Sequence, residues 1–400
     1  MVTVKRLCVG GPDYCSYRLL PDPEFNMMTA VTNRRPGSGN WPVLSRNKNL
    51  AVSLVLLLGF YMVVLGSAVI PSNSPSGAEE SRHTNKVLLN RSASLLTRPC
   101  LPGSCLARLS LDSALDLQGI PTFLQQGVSG DSPVAWHLPP PLGLQGCEET
   151  VAKALASLSH PGRPPSLEGR NGSCRRCVVV ASGGVLHGKR MGPHIDQYDV
   201  IIRLNNAPVS GFERDAGSRT TVRLTYPEGA PLSPSEYKNT SLVTLVVFKS
   251  LDLYWLTSVI TKQPLSWFSK LWFWRNVVEY IPLKPENFQI LNPEIIRKTS
   301  LAVLRYTQQQ SKIAKSFLYS LKTVPTLGAS AVVMALQLCD EVSVAGFGYD
   351  LQHPGSRLHY YENLHMDAIK SQVLHDVSAE KLFLRALVAA GVLTDLTGAL

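Results

Sequence analysis

Four short blocks in the C-terminal half carry the residues best suited to chemistry. CRRCVVVASGG begins at Cys174, VPTLGASAVVMALQLCDEVSVAGFGYD at Val324, HYYE at His359 and HDVSAE at His375. An imidazole with its ordinary pKa of about 6.5 can take up or release a proton near neutral pH. His359 and His375 are therefore candidates for acid–base work. The chain has nine histidines, so residue type alone singles out neither.

The elements that must position these residues follow from the apolar patterns. Strands are predicted at 178–180, 200–204, 242–248, 289–291 and 342–345, and helices at 149–158, 329–338 and 379–390. Strands that alternate with helices predict an α/β domain with a mostly parallel sheet.

Glycines follow two of the predicted strands, as Ser182-Gly183-Gly184 and Gly346-Phe347-Gly348. Ligands of such sheets bind beyond the carboxyl ends of the strands, where glycine lets backbone amides approach a phosphate. The spacing Gly-Gly-x-x-x-Gly differs from G-x-G-x-x-G, which argues against a dinucleotide oxidoreductase.

Residues 50–70 are almost wholly apolar and contain no Asp, Glu, Lys or Arg, which predicts one transmembrane helix. Seven Lys/Arg residues precede this run, whereas only Arg82 and Lys86 follow it as far as residue 90. The positive-inside rule then predicts a signal-anchor with a cytosolic N-terminus. We expect a cytosolic tail (1–49), the span, a luminal stem and lead-in (71–172) whose first part (71–88) is flexible, and a catalytic domain (173–400).

The formal net charge of +10 includes seven Lys/Arg and three Asp/Glu in residues 1–49. The remainder has no dense Lys/Arg run. A modest basic excess suits a small anionic substrate at least as well as nucleic acid, and we expect no nucleic-acid partner.

Six of the eight cysteines and all three glycosylation sequons, which begin at Asn90, Asn171 and Asn239, follow the predicted span. An even number of cysteines in an oxidising compartment favours disulfides. Cys174-x-x-Cys177 lacks the second close pair that a zinc site would need.

In their order and spacing, the four blocks resemble the L, S, III and VS motifs of the animal sialyltransferases, over about residues 174–400. The resemblance implies a single GT-A-like, variant Rossmann catalytic domain on the luminal side of the Golgi membrane, preceded by one transmembrane helix and a stem. It would transfer sialic acid from CMP-sialic acid (CMP-N-acetylneuraminate) to a sugar hydroxyl, with inversion. Segments that begin at Tyr226, Leu271 and Ile290 look most like the β-galactoside α-2,3 branch that acts on lactosylceramide.

By the same resemblance, His375 is the base for the galactose 3-hydroxyl, and His359 hydrogen-bonds the departing phosphate. The implied donor-binding residues are Ser182, Gly183, Asn205, Thr326, Gly328, Gly346 and Tyr360. Ser182 departs from the asparagine of many relatives, and Glu380 is expected to orient its helix. No D-x-D occurs and the donor has one phosphate, so we expect neither metal nor cofactor.

The resemblance also implies a disulfide between Cys177 and Cys339. Cys174 would then pair with a cysteine of the stem, and Cys100, Cys105 and Cys147 all remain open.

Several alternatives stay open. The acceptor could be galactosylceramide or a glycoprotein N-acetyllactosamine, and the chain could be a catalytically silent luminal sugar-binding protein. A homodimer is compatible with the sequence. Residues 255–280 hold four of the six tryptophans, and are either a packed helix pair over the active site or an aromatic lip that meets a glycolipid at the membrane.

Overall fold

A computed structural model describes residues 4–8, 15–19, 75–100, 115–126, 137–162, 164–167, 174–306, 324–350, 353–367 and 375–400. The chain divides into two compact units, Met1–Lys86 and Val87–Leu400. The predicted span at 50–70 lies outside the described residues. Within the described ranges, no helix is both long and apolar enough to cross a bilayer.

Two regions ahead of the predicted catalytic domain contain regular structure that the sequence did not suggest. Strands β1 (Val4–Cys8) and β2 (Cys15–Leu19) pair antiparallel within the first unit. Helix α1 runs over Pro75–Thr97, so the prediction of a flexible stem at 71–88 is wrong for most of that range. In the second half of α1, Leu89, Leu95 and Leu96 share one helical face and pack on buried residues of the second unit.

One seven-stranded sheet organises the second unit. Its strands are β3 (Arg176–Val180), β4 (Val200–Leu204), β5 (Thr220–Thr225), β6 (Thr240–Leu245), β7 (Phe288–Ile290), β8 (Glu341–Ala345) and β9 (Leu393–Asp395). The order is β7-β6-β5-β4-β3-β8-β9, and every neighbouring pair is parallel. The predicted α/β fold with a mostly parallel sheet is confirmed.

Beyond α1, the α-helices of this unit within the described residues are α2 (Glu148–Ser157), α3 (Gly192–Ile195), α4 (Glu213–Ala216), α5 (Ser250–Thr261), α6 (Trp267–Lys270), α7 (Pro293–Leu304), α8 (Leu327–Leu338) and α9 (Val377–Ala389). Helices α7, α8 and α9 pack on one face of the sheet, and α2 and α5 pack together on the other. The alternation of strand side chains explains both layers, because Val179 and Cys177 face α8 whereas Val178 and Val180 face the opposite layer.

Residues ahead of the predicted boundary at 173 contribute to the core. Phe123 and Leu144 are buried, and α2 buries Val151. The amide of Leu124 donates to the carbonyl oxygen of Ile290 (2.9 Å), which fastens this lead-in to the edge strand β7. The packing unit thus begins well before the first motif block.

The described residues contain two disulfides. Cys177 bonds Cys339, as the resemblance implied, and joins β3 to the residue that follows α8. Cys100 bonds Cys174. The prediction that named Cys147 as a possible partner of Cys174 is wrong: Cys147 is a buried free thiol at the start of α2, and burial raises its pKa to about 12.

Candidate active site

The motif blocks meet where the strand order of the sheet reverses. From β3 the chain continues outward through β4 to β7, and it returns to the other side of β3 as β8. Ligands of open parallel sheets bind at such a switch point, beyond the carboxyl ends of the two strands. Here those ends carry Ser182-Gly183 and Gly346.

The glycines at this edge allow backbone to approach backbone. The amide of Gly183 donates to the carbonyl oxygen of Gly346 (3.1 Å). A Cβ on Gly183 would lie 2.2 Å from that oxygen, and one on Gly184 would lie 2.2 Å from the carbonyl oxygen of Arg357. We expected the Gly183 amide to bind phosphate. It does not fit that role in this arrangement, because it already donates to the carbonyl oxygen of Gly346.

The HYYE segment is held against the same turn. The amide of Gly184 donates to the carbonyl oxygen of Leu358 (3.0 Å), and the amide of Tyr360 donates to that of Ser182 (3.0 Å). This antiparallel bridge sets His359 opposite Gly183. His359 therefore lies at the carboxyl end of β3, although its sequence position is far from that strand.

The side chain of His359 has two neighbours from its own segment. Its Nδ1 hydrogen-bonds the carboxylate of Glu362, and its ring stacks on that of Tyr361, with the centroids 5.3 Å apart. A carboxylate only accepts, so Nδ1 carries a proton, and Nε2 becomes a second donor only in the doubly protonated ring. Glu362 is thus a site residue that sequence reasoning missed, although it closes the quoted HYYE block.

Tyr360 points away from the site, so the expected donor contact by this side chain is not supported. Only 1% of Tyr360 is exposed, and its hydroxyl donates to the carbonyl oxygen of Pro208 (2.5 Å). Its ring meets Phe212 edge-on at 5.3 Å, and burial raises its pKa to about 12. Tyr360 is a core residue that anchors the HYYE segment.

His375 is partly buried, and its Nδ1 hydrogen-bonds the carbonyl oxygen of Val324 (2.8 Å). A carbonyl only accepts, so Nδ1 carries the proton and Nε2 is left with its lone pair, the tautomer that a general base needs. Burial lowers the pKa of His375 below its ordinary value, although the Val324 carbonyl opposes that shift. This environment favours the neutral base.

A second contact ties the same two blocks together. The carboxylate of Glu380 accepts from the amide of Thr326 (2.7 Å) and from the Thr326 hydroxyl (2.6 Å). The Thr326 hydroxyl in turn caps α8 by accepting from the amide of Ala329 (3.2 Å). Glu380 is buried, and desolvation raises its pKa to about 7. It links the first turn of α9 to the start of α8, close to the orienting role expected of it.

The start of α8 lies against the glycine-rich edge. A Cβ on Gly328 would lie 3.2 Å from the ring of Phe347, which directly follows Gly346. His375 is thus bonded to Val324 just ahead of α8, and Gly328 of that helix lies beside Phe347, next to the edge that carries Gly346, Gly183 and His359. The structure brings the two histidines to one edge of the sheet.

Asn205 follows β4 at the same edge, with a positive φ of 48°. Its Oδ1 is buried and finds no hydrogen-bond partner within the described part of the chain. A Cβ on Gly229 would lie 2.4 Å from that oxygen, so only glycine leaves room there. A buried amide oxygen without a partner is costly, and a ligand donor would satisfy it.

Sequence reasoning also missed a buried charge cluster beyond β5 and β6. The ammonium of Lys249 donates to Glu228 Oε1 (2.9 Å) and Asp252 Oδ1 (2.7 Å). Burial raises the pKa of Asp252 to about 6 against the opposing effect of Lys249. Burial alone would lower the pKa of Lys249, but the two carboxylates raise it overall. No spacing in the sequence signals this cluster, because Glu228 follows β5 whereas Lys249 and Asp252 stand at the start of α5.

The predicted sequons fall in different settings. Asn90 is exposed on α1 and Asn239 is exposed before β6, whereas Asn171 lies outside the described residues. In the parts of the chain that the structure describes, no three His, Cys, Asp or Glu side chains are grouped so as to hold a metal ion.

Comparisons with known proteins agree with this geometry. The family model described as "Glycosyltransferase family 29 (sialyltransferase)" matches residues 124–392. The chain is 46% identical over 268 residues to a lactosylceramide alpha-2,3-sialyltransferase of Pan troglodytes, an alignment that covers 67% of this chain and 72% of that protein. It is 44% identical over 259 residues to a CMP-N-acetylneuraminate-beta-1,4-galactoside alpha-2,3-sialyltransferase of Mus musculus, covering 64% and 66%. The crystal structure of a mammalian sialyltransferase superposes with a TM-score of 0.57 at 26% identity, covering 75% of this chain and 99% of that one.

Proposed function

The chain belongs to glycosyltransferase family 29, the sialyltransferases, and from this premise we propose that it transfers sialic acid from CMP-sialic acid to the 3-hydroxyl of a terminal galactose. Lactosylceramide is the acceptor that we favour, because relatives of that name match over 268–292 residues at 42–46% identity, whereas those named for β-1,4-galactosides match over 259 residues at 43–44%. The observation that carries the proposed mechanism is the pair of hydrogen bonds that present His375 and His359 at one edge of the sheet.

In the proposed reaction, Nε2 of His375 takes the proton of the galactose 3-hydroxyl as its oxygen bonds to the anomeric carbon of sialic acid. The bond from that carbon to the phosphate oxygen breaks on the opposite face, which inverts the configuration. The lowered pKa of His375 keeps its imidazole unprotonated and ready to act.

The departing CMP gains negative charge on its phosphate. His359, with Glu362 on its Nδ1, would donate to that phosphate through Nε2. Because this charge sits on a single phosphate, we propose that the two histidines and nearby donors suffice without a metal. The Oδ1 of Asn205, which lacks a partner among the described residues, would accept a hydrogen bond from the donor nucleotide.

We place the enzyme as a type II protein of the Golgi membrane. The apolar run at 50–70 and the charge difference across it support this placement.

The direct test is sialic acid transfer by the full chain in detergent, from CMP-sialic acid, with EDTA present. Lactosylceramide, galactosylceramide and an asialoglycoprotein are offered side by side. His375→Ala is the inactive variant, and His353→Ala is its matched control, because the His353 side chain is exposed and its partner among the described residues is Asp350.

We expect transfer to lactosylceramide that EDTA leaves unchanged and that only His375→Ala abolishes. Transfer to another acceptor alone would overturn the choice of lactosylceramide but keep the chemistry. No transfer from a folded protein would overturn the enzyme assignment in favour of a sugar-binding role.

A further inference from the structure

An exposed aromatic surface follows helix α5. Its members are Trp267, Phe268, Leu271, Trp274 and Tyr280, and we call them the aromatic surface. Trp267 is 75% exposed, Leu271 66% and Trp274 65%. The other exposed large apolar side chains of the described residues stand apart from one another along the sequence: Val87, Leu232, Tyr254, Leu301, Leu364 and Leu382. A contiguous apolar patch of this kind marks an interaction site.

The packing of residues 255–280 argues against one of their two interpretations, the packed helix pair over the active site. Trp255 is fully buried in α5, and its Nε1 donates to the carbonyl oxygen of Val278 (2.7 Å). Phe273 and Ile281 are buried as well. The segment is thus fastened to the core at several points, and the aromatic surface is what remains outside, not part of a packed helix pair.

The rings of the aromatic surface contact one another and nearby cations. Phe268 contacts Trp267 and Trp272 edge-on, with centroids 5.9 and 6.0 Å apart. Arg275 lies over the ring of Trp274 at 5.0 Å, and Lys262 over that of Tyr280 at 4.9 Å.

Residues 262–286 contain four Lys/Arg and two Glu, so the surface carries an excess of positive charge. Lys270 pairs with Glu279 at 2.7 Å. Exposed Trp and Tyr beside Lys and Arg are the combination that suits the interface of a bilayer, where rings lie at headgroup level and cations meet phosphates.

We propose that the aromatic surface docks onto the lipid bilayer. A second copy of the chain fits less well, because a symmetric contact would bring the same positive excess together from both sides. Phospholipid headgroups supply the complementary phosphate, and the interfacial region accepts the exposed rings.

The aromatic surface adjoins the candidate site. Phe273 lies under the ammonium of Lys249 at 5.0 Å from the ring centroid. Lys249 in turn donates to Glu228, and a Cβ on the neighbouring Gly229 would lie 2.4 Å from Oδ1 of Asn205 in the candidate site. Docking would therefore hold the site close to the membrane surface. If the proposed function is right, the headgroup of a glycolipid acceptor could then enter without leaving its bilayer.

The first test needs no acceptor. The full chain is reconstituted in phosphatidylcholine bilayers with or without brominated acyl chains, which quench tryptophan on contact. Trp267→Phe combined with Trp274→Phe keeps the surface apolar but removes two fluorophores. Subtracting the spectrum of this variant from that of the wild type isolates Trp267 and Trp274 from the other four tryptophans.

We expect this difference signal to be quenched by the brominated lipid and shielded from aqueous iodide. Quenching by iodide alone would show that the surface faces water and would overturn the proposal. Quenching by neither reagent would show that protein covers the surface, such as a second copy, and would overturn it too.

The second test compares acceptors. Trp267→Ser combined with Leu271→Ser should lower turnover of lactosylceramide in bilayers by about tenfold or more, since two apolar side chains lose their contact with lipid. Turnover of soluble lactose should stay within about twofold. Leu301→Ser with Leu382→Ser is the matched control, because these leucines are exposed on α7 and α9.

Equal losses on both acceptors would mean that the substitutions act through the fold and would overturn the docking proposal. If the enzyme uses no glycolipid at all, the proposed acceptor fails, and the quenching result still decides whether the surface docks.

Discussion

At His375, one backbone hydrogen bond selects the tautomer of the candidate base. The Val324 carbonyl can only accept, so the proton stays on Nδ1 and the lone pair on Nε2. Burial adds a second effect, because it disfavours the charged imidazolium and lowers the pKa. Both effects act on the same side chain, and both favour proton abstraction from an acceptor hydroxyl.

The pH dependence of the reaction should report this environment. Because the base must be neutral and its pKa is lowered, kcat/KM should fall on acidification with a midpoint below 6.5. His375→Gln should lose about 10²- to 10⁴-fold in kcat, whereas His353→Ala should behave as wild type. A wild-type midpoint above 6.5, or an unchanged kcat in His375→Gln, would contradict the assignment.

Glu380 acts through Thr326 and is a positioning residue. Its folded pKa of about 7 lies above the ordinary 4.5, because burial penalises the carboxylate. The folded state therefore binds the proton more tightly than the unfolded state does. The resulting stabilisation is fully present below pH 4.5, and is lost as the pH rises through 7.

Urea unfolding followed by tryptophan fluorescence should show this loss. Between pH 4.5 and 8 the wild type should lose roughly 2–4 kcal/mol of unfolding free energy relative to Glu380→Gln, which cannot ionise. Glu149→Gln is the control, since Glu149 is exposed on α2. A constant difference between wild type and Glu380→Gln across this range would refute the buried, proton-linked role.

At the scale of elements, the turns after β3 and β8 form one unit with the HYYE segment. Gly183 occupies the point where these pieces come closest, and a Cβ there would overlap the carbonyl oxygen of Gly346. The glycines serve this close approach of backbone, and the parallel pairing of β3 with β8 sets its position.

Gly183→Ala should therefore separate the HYYE segment from the sheet edge. We expect a loss of about 1–3 kcal/mol in stability, together with a larger loss of transfer activity, because His359 moves with the segment. Gly355→Ala is the matched control, since a Cβ on Gly355 meets nothing within 4 Å and its φ is not positive. Comparable effects of the two substitutions, measured by thermal unfolding and transferase assay, would argue against this account.

At the scale of the whole molecule, the Cys177–Cys339 disulfide closes a loop between residues 162 apart in sequence. Within that loop lie β4 to β7 and α7, so the bond joins β3 to the end of α8, just ahead of the neighbouring strand β8, and closes a loop that holds four of the seven strands. In the chain-entropy view, a cross-link over such a long loop restricts the unfolded state strongly.

Replacing Cys177 and Cys339 together by Ala should cost about 2–5 kcal/mol of unfolding free energy. Cys147→Ala should cost about 1 kcal/mol, because it removes only a buried thiol and no cross-link. Urea denaturation of the three proteins compares these values. Equal losses of unfolding free energy in the two variants would mean that the disulfide stabilises the protein through packing and not through the cross-link.

Local pattern was enough to find most of the elements that carry the site. The β-branched runs at 178–180 and 200–204 and the helical spacings at 329–338 and 379–390 all correspond to observed elements within about two residues. Strand β5 was missed because Thr220–Thr225 looks polar, and its Arg223 is buried only because Asn205, Ala207 and Glu236 supply acceptors from other parts of the chain.

The sequence by itself determined the family, the order of the blocks and the fold class, because residue types and apolar periodicity are properties of neighbouring positions. Only the tertiary structure decided that Cys174 bonds Cys100 and leaves Cys147 free. It also decided that Tyr360 faces the core and that the Gly183 amide donates to Gly346. These outcomes depend on which distant segments are brought together at the edge of the sheet. The spacing of residues along the chain does not predict which distant segments meet there.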